Sequence, residues 1–302
     1  MKIGVFGAGA WGTALAYTCA KAGNKVVLWG FDGIFHEFDD VEKPQNVTCT
    51  ADMNDLKDCK FWLIVTPAVF FRETTRKMRN VYNEQPILIC TKGMEAQTGC
   101  FMSEILNQEI PECDNMGILS GPQFAHEVAR GVPTGSTLAG NDVIRQYAHL
   151  ALSEFYLQDL NDIIGTQFCG VGKNAAALIS GFMTVRGQGE NERALVFVRV
   201  WNEIMQIAVE MGADVKTFLG LCGIGDLFLS ATSPTSRNFS AGISIARGEK
   251  PEGTIEGVCA LKGLIQRAKG LNIKIPVLSE MADKIEIEKY ETKFCKTCTT
   301  NI

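Results

Sequence analysis

Three groups of residues in this chain are suited to chemistry. The first is Phe168-Cys169-Gly170-Val171-Gly172-Lys173-Asn174, which leads into Ala175-Ala176-Ala177-Leu178-Ile179. A lysine placed where a chain enters an apolar helix loses hydration. Desolvation disfavours its ammonium form and can move its pKa toward the range of an acid–base catalyst. The competing reading is a helix-start lysine whose stem covers apolar surface while its head stays in water. The second group is Leu221-Cys222-Gly223-Ile224-Gly225-Asp226-Leu227, followed by Ser230-Ala231-Thr232-Ser233-Pro234-Thr235-Ser236-Arg237-Asn238. One carboxylate precedes a run of hydroxyls and an Arg-Asn pair. A guanidinium offers a planar fork of donors that fits a phosphate or a carboxylate. The competing reading is a polar loop in which Ser236 caps a helix.

The third group is Gly7-Ala8-Gly9-Ala10-Trp11-Gly12. Three glycines at this spacing allow a tight turn, a close backbone approach to a pyrophosphate, and close helix–strand packing. The helix start that follows offers unpaired N–H groups to an anion. The same pattern also occurs as a ligand-free turn. Context favours a dinucleotide, because an apolar strand, Lys2-Ile3-Gly4-Val5-Phe6, precedes the turn. A helix through Thr13-Ala14-Leu15-Ala16 follows it, and then a second strand, Lys25-Val26-Val27-Leu28-Trp29.

These residues need elements to position them. Phe61-Trp62-Leu63-Ile64-Val65, Pro86-Ile87-Leu88-Ile89-Cys90 and Met116-Gly117-Ile118-Leu119-Ser120 read as short buried strands of a parallel sheet covered by helices. Ligands sit at the carboxyl ends of such strands. Thr66-Pro67, Lys92-Gly93 and Gly121-Pro122 are therefore expected to line one crevice with Gly7 to Gly12. After about Gly165 the pattern turns helical, with helices expected over 174–182, 192–211 and 253–270. The second of these is apolar nearly all round and is expected to be buried. The fold class is α/β: a Rossmann-type doubly wound domain over 1–165 and an all-helical substrate domain over 166–302.

Composition narrows the function classes. The chain has 302 residues, 46% hydrophobic and 21% charged, enough for a sizeable core. A net charge of −5 without a basic block argues against nucleic acid as a partner. No apolar run reaches the about 18 residues that span a bilayer, and the N-terminus does not read as a signal peptide. Eleven scattered cysteines, an odd number, suggest reduced thiols and a cytoplasmic location. Cys295-Lys296-Thr297-Cys298 lacks a second ligand pair, and His36, His126 and His149 are dispersed, so no metal is expected.

Taken in order, several blocks resemble one family. They are Gly7 to Ala16, Cys90 to Gly93, Gly121 to Ala125 with Glu127-Val128, Gly170 to Asn174, Asn191 with Arg199, Gly225 to Leu227, Thr232 to Asn238, and Ile255 to Gly257. The chain resembles the bacterial-type, NAD(P)-dependent glycerol-3-phosphate dehydrogenases over residues 1 to about 282. The resemblance implies hydride transfer between NAD(P) and a three-carbon phosphate, sn-glycerol 3-phosphate or dihydroxyacetone phosphate, in support of glycerophospholipid synthesis. It implies that Lys173 donates and accepts the proton, and that Asp226 orients it and the substrate. Lys92, Gly121, Asn174, Ser236, Arg237 and Asn238 would complete the substrate site. Gly7, Gly9, Ala10, Trp11, Gly12, Phe31, Lys92, Ala125, Arg237 and Glu256 would meet the cofactor. A homodimer is expected.

Where many such relatives carry arginine after Leu-Trp, this chain has Gly30-Phe31-Asp32. Asp32 lies 20 residues beyond Gly12, the spacing of an acid that binds an unphosphorylated ribose, which leans the expectation toward NAD. Other departures from the family pattern are Thr184-Val185, Gly172, Val198 and Ser230-Ala231-Thr232. Two alternatives stand beside this reading. One is another two-domain β-hydroxyacid-type NAD(P) dehydrogenase, and the other is a non-catalytic NAD(P)-binding sensor.

Overall fold

A computed structural model describes residues 1–187, 189–233, 235–251 and 255–290. The chain divides into two compact units, Met1–Lys92 with Met102–Ile163, and Gly93–Phe101 with Ile164–Ile302.

The first unit is built on an eight-stranded sheet. Its strands are β1 (Lys2–Phe6), β2 (Lys25–Trp29), β3 (Val47–Thr50), β4 (Phe61–Ile64), β5 (Ile87–Ile89), β6 (Met116–Ser120), β7 (Gly135–Gly140) and β8 (Tyr156–Leu160), in the order β3-β2-β1-β4-β5-β6-β7-β8. The order reverses between β1 and β4, which makes that point the crevice of a doubly wound sheet. Strands β1, β4 and β5 are apolar because helices cover both faces: Ile3, Val5, Phe61, Trp62, Leu63, Ile87 and Leu88 are fully buried. The helices are α1 (Ala10–Lys21), α2 (Ala68–Met78), α3 (Met102–Glu109), α4 (Ala125–Arg130) and α5 (Asp142–Ala151). The strands read from the sequence, β1, β2, β4, β5 and β6, pair parallel, whereas β6 and β7 pair antiparallel. Strands β3, β7 and β8 are additions to the sequence reading. Their residues are short or half-exposed, and β8 carries Gln158 and Asp159.

The second unit is helical among its described residues. It holds α6 (Ile163–Arg186), α7 (Glu190–Glu210), α8 (Asp226–Thr232), α9 (Arg237–Arg247), α10 (Glu256–Gly270) and α11 (Pro276–Ile285). Helix α6 is long and apolar enough to cross a membrane, yet 83% of its apolar window is buried inside the protein, as in a core helix. It starts well before the expected Asn174, so Lys173 lies in mid-helix rather than at a helix entrance. Gly172 faces α7. A Cβ there would come 2.8 Å from the Ile204 side chain and 3.2 Å from Trp201, leaving no room for a larger residue.

Helix α7 also differs from expectation. Its second half is anchored by buried Val200, Glu203, Ile204 and Ile207, but Leu195 and Val198 are 58% and 55% exposed. Buried Glu203 accepts hydrogen bonds from the N–H groups of Val277 and Leu278, at 2.9 and 2.8 Å. It thereby caps α11 where Pro276 begins the helix.

Candidate active site

The second unit holds the lysine. A π-helical turn, Leu221–Gly225, precedes α8, with Gly225 N–H bonded to the Gly220 carbonyl at 3.3 Å. Such turns redirect a chain by one residue. Gly223 is required in it, because a Cβ would lie 2.1 Å from the Phe218 carbonyl oxygen. The turn delivers Asp226 as the first residue of α8, fully buried. Lys173 Nζ donates to Asp226 Oδ1 at 2.9 Å and to Ser230 Oγ at 3.0 Å, and Ser230 Oγ donates to Asp226 Oδ1 at 3.2 Å. The Lys173 side chain retains 13% exposure. An ammonium has three N–H bonds, so one remains without a protein partner among the described residues. The arrangement holds a proton donor in fixed orientation with one donor direction open.

The sequence motif contains Ser230 without marking a role for it. The signal was its i, i+4 relation to Asp226, which becomes legible only once the helix start is fixed at Asp226.

Asn174 begins a second network. Its Nδ2 donates to Glu256 Oε2 at 3.3 Å, and its Oδ1 accepts from Asn238 Nδ2 at 3.0 Å. Asn238 Oδ1 in turn accepts from Gly257 N–H at 2.9 Å. Three residues picked from the sequence, Asn174, Asn238 and Glu256, are thus brought together from α6, α9 and α10. Ser236 occupies the N-cap position of α9 and is buried, but its side chain makes no capping bond. Arg237, the first residue of α9, is exposed and has no partner among the described residues.

The first unit presents the glycine turn. Gly7 has φ +119°, and its N–H bonds the Trp29 carbonyl at 3.0 Å. A Cβ on Gly12 would meet the Gly7 carbonyl oxygen at 1.8 Å, so Gly12 is the close strand–helix contact. Gly9 is different: a Cβ there would meet nothing within 4 Å. It N-caps α1 with no side-chain cap, and the N–H groups of Ala10, Trp11 and Gly12, in the first turn, have no acceptor within the helix. Bare backbone, open space and a helix dipole are what a pyrophosphate requires, so these residues fit a dinucleotide.

At the same sheet edge, Lys92 Nζ donates to the Gly121 carbonyl at 2.6 Å, and Ala125 opens α4. Thr66 Oγ1, Ser120 Oγ and Gln123 Oε1, from the segments after β4 and at the end of β6, are buried without a hydrogen-bond partner. Buried polar groups are rarely left so, and these three mark an edge built to meet a ligand. Phe31 is 67% exposed at the end of β2, edge-on to Trp29. Asp32 Oδ1 accepts from Ile34 N–H at 3.4 Å, within its own loop.

His126 meets Asp40 and His149 meets Asp159. Among the described residues no group of three potential metal ligands occurs, and nine cysteines are free thiols. Burial pushes the Cys19 thiol up to about 12 and that of Cys59 up to about 11. Cys295 and Cys298 lie outside the described residues.

The class follows from the sheet edge and the lysine together. Hydride carriers bind at such edges, and reducing a carbonyl requires a proton at its oxygen, so this is an oxidoreductase of the two-domain, nicotinamide-dependent kind. Comparison with known proteins narrows it. The model described as "NAD-dependent glycerol-3-phosphate dehydrogenase N-terminus" matches residues 2–145, and its C-terminus counterpart matches 162–294. The chain is 35% identical to glycerol-3-phosphate dehydrogenase (NAD(P)+) of Carboxydothermus hydrogenoformans, covering 92% of this chain and 90% of that one. It is 36% identical to the protein of that name from Methylobacterium radiotolerans, covering 93% and 90%. The crystal structure of glycerol-3-phosphate dehydrogenase from Coxiella burnetii superposes with a TM-score of 0.86 over 99% of both chains, at 26% identity. This chain belongs to the NAD-dependent glycerol-3-phosphate dehydrogenase family. The fold is shared more widely: a ketopantoate reductase from Ralstonia eutropha has a TM-score of 0.69 at 16% identity.

Proposed function

We propose that the chain interconverts dihydroxyacetone phosphate and sn-glycerol 3-phosphate with NAD(P), with residues 1–165 binding the cofactor and 166–302 the substrate. The observation that carries this reading is the Lys173–Asp226–Ser230 cluster, with its one open N–H. When bound, the nicotinamide supplies or accepts the hydride at C2 of the substrate. The chain's residues do the rest. Lys173 donates its open proton to the oxygen that becomes the alcohol, and takes it back in the oxidative direction. Asp226 and Ser230 hold the Nζ in place, and the Asp226 carboxylate balances its charge. Lys92 stabilises charge developing at the reacting oxygen. Arg237, at the start of α9 and unpaired among the described residues, takes the phosphate with Asn238 and Ser236, so that binding energy remote from C2 orients C2. Gly121 and Asn174 are assigned to the substrate. Gly7, Gly9, Ala10, Trp11 and Gly12 bind the pyrophosphate, while Phe31, Ala125 and Glu256 lie along the rest of the cofactor.

The free thiols support a reducing, cytoplasmic setting. Exposed Leu195 and Val198 on α7 support a homodimer. The deciding assay is loss of nicotinamide absorbance when dihydroxyacetone phosphate is added to the protein with NADH or NADPH. Turnover with the phosphate ester and none with unphosphorylated dihydroxyacetone is expected. No turnover with either cofactor overturns the reading.

A further inference from the structure

The carboxyl end of β2 is where a doubly wound domain reads the ribose of the adenosine half of its cofactor. Two observations there concern α2 rather than β2. Lys77, in the last turn of α2, places Nζ 4.6 Å from the centroid of the exposed Phe31 ring. The same Nζ pairs with Glu73 Oε1, one turn earlier, at 2.6 Å, with the two side chains 44% and 62% exposed. The acid on the β2 loop, Asp32, is meanwhile bonded to Ile34 N–H of its own loop.

We infer that Lys77 is the residue through which this chain accepts a 2′-phosphorylated cofactor, with Glu73 as its exchangeable counter-ion. The inference rests on the reading of Gly7 to Gly12 as the dinucleotide site. With NADH, Lys77 stays on Glu73, so a neutral ribose meets no unbalanced charge. With NADPH, the 2′-phosphate replaces the Glu73 carboxylate on Nζ. The exchange is easy because an exposed i, i+4 pair is weak, whereas a phosphate carries more charge than one carboxylate. Phe31 holds the ammonium near residue 31 in both cases, since a cation over an aromatic face is attracted to it. A lysine from α2 thereby stands in for a cation on the β2 loop itself.

The test is calorimetric titration of the full chain with NADH, NADPH, adenosine 5′-diphosphate and adenosine 2′,5′-bisphosphate. Lys77→Gln is expected to weaken NADPH and the 2′,5′-bisphosphate about tenfold and to leave NADH and the 5′-diphosphate within about twofold. Glu73→Gln is expected to tighten NADPH several-fold with NADH unchanged. Equal shifts for NADH and NADPH in the lysine variant, or none in either, overturn the inference. Failure of the unaltered chain to bind NADH would instead overturn the dinucleotide site on which it rests.

Discussion

Lys173 and Asp226 stand 53 residues apart in the chain, yet Nζ and Oδ1 lie 2.9 Å apart, with the carboxylate fully buried. The two ends of this pair serve different ends. Replacing Lys173 with Met removes the proton and is expected to cut kcat by about 10²- to 10⁴-fold while NADH binding is retained. It also strands a buried carboxylate, at a cost of about 3 kcal/mol. Adding Asp226→Asn to that variant should recover part of the lost Tm and none of the activity. Thermal melts beside turnover separate the two roles, and near-normal turnover of the single variant would remove Lys173 from the mechanism.

Gly9 provides a cleaner probe of the cofactor site than its neighbours. Alanine at Gly7 or Gly12 would collide with backbone, so a loss of function there would not distinguish binding from folding. At Gly9 the space is open. Gly9→Ala should leave Tm within about 1 °C and weaken NADH at least tenfold, because the methyl occupies the volume meant for the pyrophosphate. Undiminished NADH affinity by calorimetry would show that the phosphates do not approach there.

Arg237 carries no structural duty among the described residues, being exposed and unpaired. Arg237→Ala should therefore leave the melting curve unchanged and raise KM for dihydroxyacetone phosphate by about 10- to 100-fold, the loss of a charge-assisted bidentate contact. Arg237→Lys should recover only part, because an ammonium lacks the planar fork. An unaltered KM would mean that the phosphate is held elsewhere.

What could be read from the sequence was what lay close together in it. The turn Gly7 to Gly12 and its flanking strands are contiguous, and their apolar runs report burial directly. The sequence suggests a helix entrance at Lys173, and Gly165, Gly170 and Gly172 argue against helix before it. Helix α6 runs through them because packing overrides propensity, as at Gly172 against Ile204 and Trp201. Ser230 and the Asn174–Asn238–Gly257 chain of bonds depend on the π-helical turn and on crossings of α6, α9 and α10, which no local pattern encodes. The exposed half of α7 is illegible for a related reason, since an apolar sequence states a preference for burial without naming what covers it.

Glu203 shows how a buried charge can be structural. Its two oxygens take the N–H groups of Val277 and Leu278, which the helix itself cannot satisfy, at the positive end of the α11 dipole. Glu203→Ala leaves both donors unpaired in an apolar setting and should cost about 2–4 kcal/mol. Glu203→Gln keeps an acceptor and should cost about half as much. Denaturant titration of the two variants checks the ranking, and equal stability of both with the parent would show that water replaces the cap.

Glu109 makes stability depend on acid. Burial pushes its carboxyl up, but hydrogen bonds and charge from Arg76 and Arg72 overcome that and hold it below the usual carboxylate range. Its folded pKa is thus lower than its unfolded one. Linkage then gives stability that is fully present above the unfolded pKa of about 4.3 and is lost as pH falls through the folded value. Glu109→Gln cannot ionise, so it should be less stable than the parent at pH 7 by about 1 kcal/mol, with the gap closing below pH 4. Melting curves of the two proteins between pH 7 and pH 3 test the sign, and a gap that stays constant or widens toward acid would mean that the arginines do not stabilise the charged form.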